Sequence, residues 1–593
     1  MTKPISISLA VLTCSLIASP AWAGFGLDAN ALDPQACNGQ GCWTNHMRLT
    51  DIDGDGDLDI VLANYADFFG GGDDPEPLVI YTNDGAGNFT NVSDTALGGH
   101  VGNHHQIAIG DVDGDGSRDI YGPDGSGGAH VLFINDGSGN FVDEADARLP
   151  GEYPQGGAAR MGDVDGDGDL DIFVSADYST NGPPYGYLYV NDGTGVFTTA
   201  QNAIPDSFSG SDIDDVEFFD ADRDFDLDLL INPHNGAPAL WLNDGSGNFA
   251  EGGSFAPPGP GSQFHYNAAP CDVDGDGDLD MWIDNTGGNY TEQLLINDGN
   301  ANFTDETNAR VTGNPGQDDN GVACVDIDDD GDLDGVVLSL GTPERLLEND
   351  GAGNFAYVPG VFPGPTDCTL WGEFGDLDGD GRIDLVTSQG ECSSSDEVYL
   401  ADDAEPTDSH APVLIAVEEV PLDIEPVVRF AVGDSTVTDE GPRLAKAYAL
   451  VDPAGAATEV AADFMGGDLF RVVLPAVDVE TDVQFCAEDL AGNNACSETQ
   501  TYGGGGSPDT GESDTTGDTG DTAGDTTSDT AGDTAGDTVG DDEVGTEDTA
   551  GDTAGADEDG SGCACTQSPD SRGFGWAVLA MLGLGMLRRR PRA

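Results

Sequence analysis

Short apolar runs of four to six residues recur along most of the chain, each bounded by acidic, glycine-rich turns. Examples are IVLAN (60–64), LVIYTN (78–83), DIFVS (171–175) and LYVND (188–192). Runs of that length between turn residues predict β-strands. From His410 to Tyr502 the pattern changes to alternating strands: VLIAVEEV, VVRFAV, AKAYALVD, LFRVVLP and DVQFCAEDLAGNNAC. That stretch, 410–502, predicts a small β-sandwich acting as a spacer or accessory binding domain. Apolar runs of another kind lie at the two ends, Ile5–Ala18 and Gly573–Leu587.

A repeat organises the strands. The pattern D-x-D-x-D-x-x-x-D occurs seven times, at Asp51–Asp59, Asp111–Asp119, Asp163–Asp171, Asp220–Asp228, Asp272–Asp280, Asp326–Asp334 and Asp376–Asp384, with first aspartates 60, 52, 57, 52, 54 and 50 residues apart. Two apolar strands follow each loop. Six repeats then carry N-D-G-x-x-x-F, at Asn83–Phe89, Asn135–Phe141, Asn191–Phe197, Asn243–Phe249, Asn297–Phe303 and Asn349–Phe355. Asn-Asp-Gly between strands signals a hairpin, because these residues tolerate positive φ, and the Phe anchors the next strand. Each repeat is therefore a four-stranded unit of about 50 residues, the size of a propeller blade. The predicted fold is all-β: a seven-bladed β-propeller over 24–403, then the sandwich.

The seventh repeat ends at Tyr399–Asp403 without the hairpin or its Phe. In the other repeats 21 to 23 residues separate the Phe from the next loop, and Phe25 precedes Asp51 by 26. The segment around Phe25 is thus expected to supply the outer strand of the last blade and to close the ring, leaving no ring-end edges.

Charge bears on partners. The 593 residues include 112 Asp plus Glu against 18 Lys plus Arg, a net charge of -94. Such a polyanion gains nothing from counterion release on nucleic acid and is repelled by anionic lipid headgroups. The seven loops hold 34 of the acids, the six hairpins 6 and the tract Ser507–Gly560 another 18. In each loop, carboxylates at positions 1, 3, 5 and 9 and a backbone carbonyl at 7 can wrap one cation, with glycines at 4 and 6 permitting the turn. Oxygen ligands without His or Cys favour Ca2+ over zinc or copper, and Mg2+ demands stricter geometry. The predicted ligands are Asp51, Asp53, Asp55 and Asp59; Asp111, Asp113, Asp115 and Asp119; Asp163, Asp165, Asp167 and Asp171; Asp220, Asp222, Asp224 and Asp228; Asp272, Asp274, Asp276 and Asp280; Asp326, Asp328, Asp330 and Asp334; and Asp376, Asp378, Asp380 and Asp384. Up to seven Ca2+ sites follow. The one at Asp220 is in doubt, since Arg223 and Phe225 replace both glycines.

These loops with their NDGxGxF hairpins resemble the FG-GAP or VCBS-type repeats of bacterial surface proteins and, more distantly, the blades of integrin alpha chains. The resemblance covers 24–403 and implies the same ligands at the first, third, fifth and ninth loop positions. The ending FCAEDLAGNNAC resembles the last hairpin of bacterial Ig-like or fibronectin-type modules.

Residues 1–23 read as a secretory signal, with Lys3, the apolar run and an Ala21-Trp22-Ala23 cleavage site. Residues 503–562, built from Asp, Thr, Gly and Ala, predict a disordered acidic stalk. Residues 563–593 combine Cys563-Ala-Cys565, a hydrophobic helix and an Arg tail, and this order resembles the MYXO-CTERM sorting signal of myxobacterial-type surface proteins. It implies display on the cell surface or outer membrane of a Gram-negative bacterium, with membrane attachment only through this segment or its lipidated product. Eight cysteines remain once Cys14, Cys563 and Cys565 are set aside, an even number suited to an oxidising compartment. Proximity suggests Cys37–Cys42, Cys368–Cys392 and Cys486–Cys496, while Cys271 and Cys324, on first strands of neighbouring blades, fit either a bond or two buried thiols.

The Asp loops and hairpins share one face of the predicted propeller. The other, more variable face carries Tyr65, Phe68, Phe69, His104, His105, Tyr178, Tyr185, His234, His265, Tyr266 and Trp371. Loops on a rigid scaffold commonly bind ligands, and ordinary packing is the competing reading. His104 and His105, with His46 and His265, are a further candidate metal site at the central channel. Two functions fit: a monomeric adhesion module binding an extracellular protein or glycan, or a lyase or hydrolase acting on polysaccharide. No G-x-S-x-G elbow and no H-E-x-x-H motif occurs, so the non-catalytic reading is preferred and no catalytic residue is named.

Overall fold

The computed structural model describes residues 24–504, apart from positions 29, 34, 36–41, 66–74, 126–127, 152–154, 177–184, 206–210, 257–264, 287–289, 365–367, 393, 403–404 and 439–440. The expected signal (1–23) and sorting segment (563–593) lie outside these residues, as does all of the stalk except its first two positions. No helix among the described residues is long and apolar enough to cross a membrane.

Seven antiparallel sheets form the propeller, and each Asp loop joins a blade's innermost strand to its second. In the first blade the order from the axis is Thr44–Thr50, Asp59–Asn64, Val79–Thr82 and Thr90–Asn91. The fifth and sixth blades gain a short parallel edge strand, Ser254–Phe255 and Val311–Thr312. Ring closure follows the expectation: Phe25–Leu27 pairs antiparallel with Glu397–Ala401, Phe25 opposite Ala401, and completes the seventh blade. Phe25 is buried there and stacks on Phe362 at 4.6 Å.

Apolar side chains pack between blades, so the hydrophobic clusters are shared by neighbours. One contains Ile52 and Val61 of the first blade with Ile109 and Ile120 of the second. The inner strands of the fifth and sixth blades are joined by a Cys271–Cys324 disulfide, which resolves the open alternative. Cys368–Cys392 and Cys486–Cys496 are also bonded. Cys37, the expected partner of Cys42, lies outside the described residues.

Polar side chains from several blades fill the centre of the ring. Buried Arg48 pairs with Glu373 at 3.0 Å, and Arg160 reaches Asp215 at 3.0 Å and Glu217 at 2.6 Å. Gln106 donates to the Asp214 carbonyl and accepts from Arg160. Each of these two buried arginines has an acidic partner, as burial requires.

Residues 413–502 form a sandwich of two antiparallel sheets. One contains Val413–Val417, Val427–Gly433, Leu469–Val473 and Asp463–Gly466; the other contains Thr458–Ala461, Leu444–Val451, Thr481–Asp489 and Asn494–Cys496. Phe430, Phe470 and Phe485 lie in its core. The domain sits on the Asp-loop end of the propeller. Arg443 donates to the carbonyls of Phe374 (2.7 Å) and Leu49 (2.8 Å) and pairs with Glu373 at 2.8 Å. The Asp163 N–H donates to the Met465 carbonyl, and that of Asp326 to the Ser435 carbonyl. A short hairpin, Val437–Thr438 with Gly441–Pro442, reaches the inner strands, and Val437 packs against the Cys271 and Cys324 cluster. A small apolar cleft of about 50 Å³ remains between this hairpin and the fourth to sixth blades.

Candidate metal centres

The seven Asp loops share one backbone arrangement. In the first, Asp51 accepts N–H bonds from Gly54, Asp55 and Gly56 at 2.8 to 3.2 Å, and Asp55 accepts from Asp57. Gly54 and Gly56 have φ of 79° and 99°, the left-handed region that glycine occupies without strain. The ninth aspartate is buried and doubly engaged: Asp59 Oδ2 accepts from Ile52 N–H at 2.9 Å and Oδ1 from Asn83 N–H at 2.7 Å. The same pair of bonds recurs at Asp119, Asp171, Asp228, Asp280, Asp334 and Asp384. Position 9 therefore closes the loop onto its own blade as well as facing the other acids. Each of its oxygens keeps lone-pair capacity for a cation.

The third position carries the clearest mark of a cation site. Oδ1 of Asp53, Asp113, Asp165, Asp222, Asp274, Asp328 and Asp378 is buried without a hydrogen-bond partner, in all seven loops. Neighbouring hairpins cover these side chains. A Cβ on Gly139 would lie 3.0 Å from the Asp53 Cβ, and one on Gly353 would lie 2.8 Å from that of Asp274. At these positions the second glycine of NDGxG is fixed by close approach to the preceding blade's loop, whereas the fifth blade has Ala301 there, at a φ of 58°.

Oxygens of Asp51, Asp53 and Asp59 can lie within 4.8 Å of one another, as can those of Asp111, Asp113 and Asp115, of Asp163, Asp165 and Asp171, and of Asp220, Asp222 and Asp228. The fourth loop, doubtful from its sequence, thus keeps the arrangement. Arg223 and Phe225 take φ of 64° and 65° where other loops have glycine. Burial pushes the Asp59 and Asp119 carboxyls up to about 7, and those of Asp171, Asp228, Asp280 and Asp334 up to about 8. Asp53 is raised by burial first, then by Asp55 and Asp51. Buried carboxylates repelling one another around an orphaned oxygen fit a hard divalent cation such as Ca2+.

The hairpin asparagines do more than turn the chain. Asn135 Nδ2 donates to Arg118 O in its own blade and to Ile52 O in the preceding one, at 3.0 and 2.8 Å. Asn83, Asn191, Asn243, Asn297 and Asn349 bridge in the same way. Arg148 and Arg310 are similar to each other, each pairing with a third-position aspartate, Asp113 or Asp274, at 3.1 Å. Neither role was read from the sequence, although the invariance of Asn across six repeats was a visible signal.

The candidates on the other face are mostly buried. Trp371 lies against His46 at 4.6 Å inside the ring, and His46 Nδ1 accepts from the Ile107 N–H. His104 contacts His100 and the Pro123 carbonyl, His265 the Asp284 carbonyl, and His105 lies edge-on to Tyr65. These rings are tied to separate partners in different blades. His234 pairs with Asp214 at 2.6 Å and Tyr266 lies edge-on to it at 5.1 Å. Phe68, Phe69 and Tyr178 lie outside the described residues, and Tyr185 packs against the core shared by the third and fourth blades.

The fold and the loops define an all-β propeller built from acidic-loop repeats. The repeat family described as FG-GAP-like repeat matches residues 51–122, 123–174, 163–231, 222–283 and 326–387, so the chain carries FG-GAP-like repeats in this region. No curated protein is significantly similar to it. Among solved structures it is similar to a fungal alcohol oxidase of the AA5 family in complex with copper, at 12% identity and a TM-score of 0.37, over 79% of this chain and 100% of that one. It is also similar to the full extracellular region of plexin A4, at 10% identity and a TM-score of 0.35, over 81% of this chain and 67% of that one. Likeness this weak carries nothing about chemistry.

Proposed function

We propose that the protein is a calcium-binding propeller displayed on the cell surface, acting as a monomeric, non-catalytic adhesion module that binds a protein or glycan through the face opposite its Asp loops. The observation carrying this reading is the position of the sandwich. It occupies the Asp-loop end of the channel, so a ligand is left the other face. On that face the inner strands start with β-bulges at Asn45, Asp214 and Asn320, buried polar residues of the first, fourth and sixth blades. Bulges re-aim side chains and are frequent beside binding sites. Secretion and surface attachment rest on the VCBS-type and MYXO-CTERM resemblances, and the three described disulfides suit that compartment.

The test is a glycan and protein array probed with the calcium-loaded protein, followed by product analysis. Binding without turnover, weakened about tenfold by Tyr266→Ala, supports the reading. Release of fragments from a bound glycan overturns the non-catalytic part, and retained binding by Tyr266→Ala with loss on changing Asp-loop-face residues overturns the choice of face.

A further inference from the structure

Five of the seven Asp loops have glycine at both turn positions, and the fourth and sixth do not. Arg223 and Phe225 in the fourth, and Asp329 in the sixth, have φ of 64°, 65° and 54°. Left-handed backbone is unfavourable for residues with a Cβ and persists where surrounding contacts over-determine it. Here those contacts converge on the sandwich and the segment leading to it.

Phe225 packs against the same hydrophobic cluster as Ile415 and Ala416 of the sandwich, a cluster that holds Ala431 and Leu469. Its carbonyl accepts from Arg429 Nη1 at 2.8 Å, and the same guanidinium pairs with Asp226. Arg223 pairs with Asp278 of the next loop at 2.7 Å, and its guanidinium and Ile415 both border Gly277. In the sixth loop Asp329 accepts from the Ser409 N–H at 2.9 Å and the Ser409 hydroxyl, and lies 2.9 Å from His410 Nδ1. The reason for a second docking point here lies in the seventh blade. Every other blade lays its NDG hairpin on the preceding loop, and the seventh has none. The segment Glu405–His410 takes that place, with Glu405, Pro406 and Asp408 lining a small cavity beside Asp326 and Ile327.

We propose that the fourth and sixth Asp loops are the docking sockets of the β-sandwich: their non-glycine turn residues are kept because they grip it, and cation binding in these loops and seating of the sandwich over the channel favour each other. Both events require the same loop backbone, and coupling of that kind is reciprocal. The coupling rests on the calcium reading above; the docking does not.

Restoring the repeat pattern is the test, with Arg223→Gly/Phe225→Gly and Asp329→Gly introduced in the full chain. In a turn that only turns, glycine at positive φ relieves strain and the melting temperature holds or rises. The docking account gives the opposite sign. Calorimetry should show the sandwich melting apart from the propeller, and protease should cut the 402–412 linker at least tenfold faster. A single unchanged transition with a protected linker would overturn the docking. Chelating calcium from the unaltered chain should also speed linker cleavage. If chelation leaves cleavage unchanged while the glycine variants release the sandwich, the coupling is overturned and the docking stands.

Discussion

The aspartate at the ninth loop position makes the same pair of backbone bonds in all seven repeats, and that regularity matches the even spacing of the sequence. The hairpin asparagines show the limit. Their sequence context predicts a turn, and they do turn, but the bond from Asn135 to Ile52 spans 83 residues and belongs to the ring, not to the repeat. Asn243→Ala would leave the Val164 and Leu227 carbonyls without these donors and should cost about 2 kcal/mol in chemical denaturation. Asp319 is another residue that spacing could not interpret. It is buried beside Glu292 and bonded to Arg345; burial first, then the charge of Glu292, pushes its carboxyl up to about 9. A raised carboxyl contributes stability that is complete below its unfolded value near 4 and lost as pH rises through the folded value. Asp319→Asn should therefore melt close to wild type at pH 4 and progressively above it as pH rises from 4 to 9, measured as the difference between the two proteins at each pH.

Strands and their order were legible because turn residues mark each blade, and ring closure followed from a missing strand at one end and a spare one at the other. Phe25 is 4% exposed in the last blade. Phe25→Ala should cost about 3 kcal/mol and loosen the seventh blade first, as faster amide exchange along Glu397–Ala401 than elsewhere in the ring. What the repeat could not convey is the substitution of one element for another. The seventh blade lacks its hairpin, and a linker with no resemblance to NDGxGxF fills the space. The Cys271–Cys324 bond was likewise open in the sequence, because pairing across blades depends on the facing of two inner strands and not on their separation of 53 residues.

For the molecule as a whole, the sequence divided the chain into propeller and sandwich but could not join them. Among the contacts that do so are those of two scattered arginines, Arg429 and Arg443, whose propeller partners lie in three different blades. A net charge of -94 has a structural meaning in this arrangement: much of it is gathered at one end of the ring, in loops whose third aspartates each keep one buried oxygen without a hydrogen bond. At millimolar concentration an extracellular-type site contributes about 1 kcal/mol, so seven together are comparable with the net stability of a domain. The direct measurement is calorimetry of the full chain in 2 mM calcium against excess chelator, with magnesium as the control. The account predicts a fall in the propeller transition on the order of 10 °C on chelation, reversed by calcium and not by magnesium. A transition that stays at the same temperature in chelator would contradict it.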